Sequence, residues 1–167
     1  MKIRPICEED IPACLEIYNA YIVRTTVTFE ETPLQMADFR ERVRRIRETY
    51  PYLVAEEDGA VVGYAYLDAY SSRSAYRYTA DLSIYLRMDM RGKGLGEKLL
   101  EAVERCAIRQ GLRNIVSVVT QENEASLAFH EKHGYRRCGR LHHAGLKMGR
   151  WLDVVFLQKE LPAEGPG

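Results

Sequence analysis

Arg91-Gly92-Lys93-Gly94-Leu95-Gly96 stands between two runs of opposite character. Before it, Thr79 to Leu86 is β-branched and aromatic, which predicts a strand. After it, Leu95, Leu99, Leu100, Val103, Cys106 and Ala107 recur at helical spacing, and Gly111 supplies a stop. The glycines therefore occupy a strand-to-helix turn, where they let the backbone approach a ligand closely. The helix that follows points unpaired N–H groups and its positive dipole end at the turn. With the charges of Arg91 and Lys93, this makes a cradle for a diphosphate. Two other phosphate-binding patterns do not fit. The order G-x-x-x-x-G-K-S/T is absent, and glycines at 92, 94 and 96 do not make G-x-G-x-x-G.

The chain around this turn has 167 residues, 46% apolar and 29% charged, as in an ordinary soluble globule. We expect one domain over 1–161 and a disordered tail over 162–167 (PAEGPG). Lys plus Arg and Asp plus Glu both total 24, so the basic excess of a nucleic-acid or anionic-membrane binder is missing. No apolar run approaches the roughly 20 residues of a membrane-spanning helix, and MKIRPICEED has no signal-peptide character. Cys7, Cys14, Cys106 and Cys138 lack CxxC spacing and read as buried thiols in a reducing, cytoplasmic compartment, with no metal.

Lys2–Ile6 is a strand candidate and Glu8–Tyr21 an amphipathic helix, with Pro12 in its first turn. Val23–Glu31 is β-branched and polar. A second helix is expected over Pro33–Thr49; its RERVRRIRE run reads as a solvated face with i,i+4 pairs such as Glu41–Arg45. Pro51–Glu57 and Ala60–Tyr70 form a hairpin about Asp58-Gly59, and Ser71–Ser74 is a loop. Beyond the central helix, Asn114–Thr120 is a buried strand. Asn123 caps a helix running to His133, and Tyr135–His143 and Trp151–Leu161 are the last strands. The order β-α-α-β-β-β-α-β-α-β-β predicts a mixed α/β fold. Its central sheet is mostly antiparallel and surrounds a parallel β-loop-α-β core.

Arg91, Gly94 and Gly96 fill the fixed positions of Q/R-x-x-G-x-G/A, the acyl-CoA loop of the GNAT N-acetyltransferase superfamily, which the chain resembles. Asn123-x-x-Ser126-x-x-Phe129-His130-Glu131-Lys132-x-Gly134-Tyr135 is similar to a second motif of that superfamily, at family spacing. Arg73-x-Ala75-Tyr76-x-x-Thr79-x-Asp81, Ile17-Tyr18-Asn19, Thr28-Phe29-Glu30 and Gly145-x-Lys147-x-Gly149-x-Trp151-x-Asp153 resemble segments of phosphinothricin and methionine sulfoximine acetyltransferases. The likeness spans about Ile3 to Leu161.

That resemblance implies acetyl-CoA as co-substrate and the GNAT fold. Its pantetheine arm would pair with the backbone of Ile84, Tyr85 and Leu86. The diphosphate would lie on Arg91, Gly92, Lys93, Gly94, Leu95 and Gly96, with the N–H of Glu97 beside it. Asn123 and Ser126 would face the thiol end. The acceptor implied is a small-molecule amine of the amino-acid kind, met by Arg73 and Tyr76, with neither nucleic acid nor membrane as partner; a homodimer is expected from the resemblance only. An arginine can clamp a carboxylate bidentately. The subfamily's usual lysine two residues before that arginine is replaced by Ser71.

Transfer needs a neutral amine. At pH 7, deprotonating a lysine costs roughly 4.6 kcal/mol and a peptide α-amino group about 1. Asp81 is the candidate base, at a position where the subfamily usually carries glutamate; one methylene less calls for a bridging water. His130 stands where many relatives have a general-acid tyrosine and this subfamily has histidine, and it suits donation to sulfur or proton removal from the amine. A backbone N–H near Leu86 is the simplest donor to the carbonyl oxygen. His133, His142 and His143 read as surface or loop residues. The alternatives are a protein N-terminal or lysine acetyltransferase and a non-catalytic acyl-CoA module.

Overall fold

The computed structural model describes residues 1–163. Strands β1 (Lys2–Pro5), β2 (Tyr52–Glu57), β3 (Ala60–Ala69), β4 (Thr79–Leu86), β5 (Asn114–Thr120), β6 (Arg136–Lys147) and β7 (Arg150–Glu160) form one sheet. Their order across it is β1-β2-β3-β4-β5-β7-β6. Every neighbouring pair is antiparallel except β4 with β5. Helices α1 (Ile11–Arg24) and α2 (Met36–Arg47) cover one face, and α3 (Leu95–Gln110) and α4 (Glu124–Lys132) the other. The element order is the one the sequence predicts.

Each face has its own core, because inward residues alternate along the strands. Ala80 and Leu82 of β4 pack under α3 with Leu99, Leu100 and Val103. Tyr52, Val54 and Tyr64 pack under α1 and α2 with Ile11, Phe39 and Ile46. The chain crosses between faces through β4–α3–β5, the only parallel unit among the described residues.

That parallel pairing is short. It joins Thr79 to Asn114, Ala80 to Ile115 and Asp81 to Val116, and then stops. Beyond it β4 stays with β3 as far as Leu86 opposite Gly63. Strand β5 stays with β7 as far as Thr120 opposite Val154. The sheet is thus split by a V whose vertex is the Asp81–Val116 pair.

Several expectations need correction. The second helix starts at Met36, not Pro33. The Asn19 amide grips Leu34 in both directions, donating to its carbonyl at 3.2 Å and accepting from its N–H at 2.9 Å, and residues 33–35 stay outside the helix. Glu41 pairs with Arg44 rather than Arg45, which reaches across to Asp68. Strand β6 does not stop at His143. It bulges there, with His143 at a φ of 49°, and runs on to Lys147. Met148 and Gly149, at φ of 53° and 72°, make the tight turn into β7. Of the four cysteines only Cys14 is buried; Cys138 is exposed. Pro162 and Ala163 carry no regular structure; the rest of the predicted tail, 164–167, lies outside the described residues.

Arg4 ties β1 to the start of α1. Its guanidinium grips Asp10 at 2.7 and 2.9 Å, and Asp10 also accepts from the Cys7 N–H. These bonds, Arg4 first, hold the Asp10 carboxyl down at about 2. A depressed folded-state pKa stabilises above the ordinary carboxylate range near 4, and this is lost as pH falls toward 2. Asp10→Asn should therefore cost about 1–2 kcal/mol at pH 7 in urea unfolding, and the gap to wild type should narrow steadily below pH 4.

Candidate active site

The V between β4 and β5 is a cleft of about 300 Å³. It is lined from β4 by Leu82 to Leu86, from β5 by Ser117 to Thr120, and from α4 by Ser126, Phe129 and His130. Tyr21 and Val27 line it from the opposite face, so it passes through the sheet. Its β4 wall includes main chain left open by the split. The Arg87 N–H donates to Val62 of β3 at 2.8 Å. By alternation Tyr85 also turns its amide groups to β3, whereas Ile84 and Leu86 turn theirs into the cleft. The Tyr21 hydroxyl occupies the Leu86 carbonyl at 2.6 Å.

At the open end of the V the glycine loop leads into α3. Gly92 and Gly94 have φ of 78° and 80°, the left-handed region that favours glycine. Gly94 is the N-cap and brings no side chain, so the first-turn N–H groups of Leu95, Gly96 and Glu97 keep no capping partner. The Leu95 side chain is buried in the core, and Gly96 lies against the Phe129 ring. Arg91 and Gly96 reach the cleft lining; Gly92, Lys93, Gly94 and Glu97 stand outside it on the loop and first turn. A diphosphate placed here would meet a helix end and two cations.

Asn123 caps α4 by accepting from the Ser126 N–H at 3.2 Å, and both residues line the cleft. His130 is buried, 6% exposed. Its Nδ1 lies 2.7 Å from the Ser126 carbonyl oxygen and its Nε2 lies 2.8 Å from Ser117 Oγ. A carbonyl only accepts, so Nδ1 carries the proton and Nε2 accepts from the serine hydroxyl. Burial pushes the imidazole below its ordinary pKa, against the bond to Ser126. Ser117 was not anticipated. Its signal was available: in the alternation Ile115, Ser117, Val119, it is the polar member of an inward face.

Asp81 does not line the cleft; it sits at the vertex. By alternation it shares the α1/α2 face with Ser83 and Tyr85, opposite to His130. Its Oδ1 is buried without a hydrogen-bond partner among the described residues, and neither Arg73 nor Arg77 pairs with it. Burial, and then the nearby Asp68, push its carboxyl up to about 6. Arg73 and Tyr76 lie on the exposed loop between β3 and β4, beyond the Asp81 end of the strand and away from the cleft lining. The Tyr76 ring meets Tyr70 edge-on at 5.2 Å.

Two separated sequence segments meet beside this face. Lys147, buried, donates to the Thr28 carbonyl at 2.7 Å, and the Phe29 ring lies on the bare backbone of Gly145. Glu30 accepts from Arg42 and from Tyr18, whose hydroxyl also meets Thr28 at 2.9 Å. These contacts fix the segment between α1 and α2 over the sheet. One trio of metal-capable side chains, His142, His143 and Asp153, lies at the bulge of β6, where Arg140 also holds Asp153.

A strand edge open to a cleft that ends at an uncapped helix N-terminus suits an acyl-CoA-dependent transferase. Residues 3–156 match the family model of the acetyltransferase (GNAT) domain. The chain belongs to the GNAT family and is an N-acetyltransferase. It is 38% identical to a phosphinothricin N-acetyltransferase of Alcaligenes faecalis, over 96% of this chain and 83% of that one. It is equally 38% identical to an L-methionine sulfoximine/L-methionine sulfone acetyltransferase of Pseudomonas paraeruginosa, over 96% and 94%. A crystal structure of a Sinorhizobium meliloti phosphinothricin acetyltransferase in complex with acetyl-CoA superposes with a TM-score of 0.93 at 36% identity, covering 98% of this chain and 94% of that one.

Gly94→Val tests the loop. Its φ of 80° is the constraint, since a side chain there meets nothing within 4 Å. Holding the left-handed region costs a non-glycine residue about 1–2 kcal/mol. The variant should bind acetyl-CoA about tenfold more weakly in calorimetry; unchanged affinity would place the diphosphate elsewhere.

Proposed function

We propose that the enzyme transfers the acetyl group of acetyl-CoA directly to the amino group of a small amino acid or analogue, of the phosphinothricin, methionine sulfoximine or methionine sulfone type. The observation that carries this is the through-sheet cleft. A thioester threaded between β4 and β5 from the α3 end is open to an amine arriving at the Asp81 face.

In this reading the pantetheine amides meet the open backbone of Ile84 and Leu86, with Tyr85 held to β3. The diphosphate rests on the loop from Arg91 to Gly96 and on the Glu97 N–H, and Asn123 and Ser126 flank the thiol end. The Leu86 N–H, turned into the cleft, donates to the carbonyl oxygen as negative charge develops there. Asp81 takes the first proton from the acceptor ammonium, through a bridging water. With its carboxyl at about 6, its basic form grows as pH rises through 6, and activity rises with it. Attack then gives an intermediate with a positively charged nitrogen. Of the two roles expected of His130, giving a proton from its resting state is opposed by burial. It accepts the second proton by way of the Ser117 hydroxyl and passes it to the departing thiolate. The ammonium thus loses two protons, one to solvent through Asp81 and one to sulfur, and His130 ends neutral. None of these steps calls on a metal.

Arg73 and Tyr76 would meet the acceptor at the outer end of β4, Arg73 through the α-carboxylate. We further infer a cytoplasmic homodimer. Strand β6 is the sheet's edge and exposes Leu141 and Leu146, beside exposed Met148 and Trp151. A monomeric mass at micromolar concentration in ultracentrifugation would refute the dimer, and cell fractionation would test the compartment.

Thiol release from acetyl-CoA with a panel of amino acids, against peptides with free N-termini, tests the activity as a whole. Turnover of peptides alone would sink the small-acceptor reading. His130→Phe should lower kcat by about 10²–10⁴ with little change in cofactor affinity; a folded variant at wild-type rate leaves His130 as packing. Arg73→Ala should raise KM for methionine sulfone about 10- to 150-fold, the loss of a charge-assisted bond, and much less for its amide. Arg73→Lys should recover part of that loss. Equal losses for acid and amide would rule the clamp out.

A further inference from the structure

Asp81 and Asp68 are directly opposite one another in the β3–β4 ladder. Side chains so placed have Cβ atoms about 4.5–5.5 Å apart, and like charges there are destabilising. Stability alone gives no reason to keep this pair, least of all with one Asp81 oxygen buried and unpartnered. Asp68 is also held. Its two oxygens face Arg45 of α2 at 3.4 and 3.3 Å, and Oδ1 accepts from the Ala69 N–H at 2.8 Å. Arg45 is the residue that the sequence assigned to an intrahelical pair with Glu41, and the fold sends it to the sheet instead.

We propose that Asp68 is a positioning residue for catalysis: its negative charge, fixed across the ladder and partly offset by Arg45, strengthens Asp81 as a base. This rests on the reading of Asp81 as the base and adds the device that sets it. The other groups around Asp81 leave Asp68 as the decisive charge. From β3 it meets Tyr66 and Asp68, and across the parallel pair it meets Val116, which does not titrate. From the loop before β4, Arg77 is turned away, donating to the Ser74 carbonyl at 3.0 Å and lying 4.6 Å over the Tyr78 ring. After burial, Asp68 is the group that raises the Asp81 carboxyl.

The arrangement has a chemical use. An aspartate is one methylene shorter than glutamate and works here through water. A neighbouring anion raises its affinity for the acceptor's proton, and it favours the approach of an ammonium over a neutral competitor. The exposed Arg45 ion pair then sets how much of that charge Asp81 feels.

The test is the acid limb of the pH profile of kcat/KM, together with ¹³C NMR titration of the Asp81 carboxyl. Asp68→Asn should move both to lower pH by about half a unit to one unit, and plateau kcat should fall a few-fold because the base is weaker. Arg45→Ala should move both to higher pH, and should do nothing further in the Asp68→Asn background. Asp68→Ser serves if the asparagine variant does not fold, with unchanged acetyl-CoA affinity as the control for an intact fold. Asp81→Asn is measured in parallel. If it abolishes the limb while Asp68→Asn leaves limb and titration in place, Asp68 is a bystander and the base reading stands. If Asp81→Asn itself keeps the wild-type limb, the base reading falls and this inference with it.

Discussion

Three residue pairs hold β4 to β5, and the site depends on there being no more. A parallel pair in the middle of a sheet normally continues, because each further residue satisfies two backbone groups that would otherwise need water. Here the two strands choose different partners beyond Asp81, β4 keeping β3 and β5 keeping β7. Each strand stays anchored along its outer edge, which holds the gap between their inner edges open. The unspent hydrogen-bonding capacity of that edge is left facing the cleft. Tyr21 covers one carbonyl of it and leaves the neighbouring groups open.

The same split separates the two buried titratable groups, His130 and Asp81. Ser117 and His130 sit on the face packed by α3 and α4, in a dry setting that fixes one tautomer. Asp81 sits on the other face, where α2 and β3 bring charge to it. A sheet keeps these environments apart with one strand thickness of backbone. Because the cleft pierces the sheet, one reacting centre can still face both.

The order of the elements and the glycine turn were legible because both rest on local rules: side-chain period, and the φ that glycine tolerates. The candidate residues on β4 and α4 were legible only through resemblance, since a lone aspartate or histidine carries no pattern. What could not be read was register. The loop from Tyr70 to Tyr78 leaves the pairing of β3 with β4 unfixed by turn geometry, so nothing in the sequence set Asp68 opposite Asp81. Arg45 misled for a similar reason. Helical spacing offered it Glu41, and the partner that won lies far off along the chain. The start of α2 was misplaced because Asn19, from another helix, holds both backbone groups of Leu34. The motif fragments at 28–30 and 145–147 explain each other only in three dimensions, where an aromatic ring needs a residue without a side chain.

A wall made of main chain has an evolutionary consequence. Ile84 and Leu86 present N–H and C=O groups to the cleft whatever side chains they carry, so point mutation can hardly rewrite what the wall offers a ligand. Drift at those positions is screened by the cores beneath rather than by the ligand. The opposite face is different in kind. Phe29, Lys147 and Asp68 make their contacts there through side chains, and each can be exchanged without breaking a sheet ladder. Divergence among such enzymes should therefore gather on that side, with new acceptors arising around an unchanging slot.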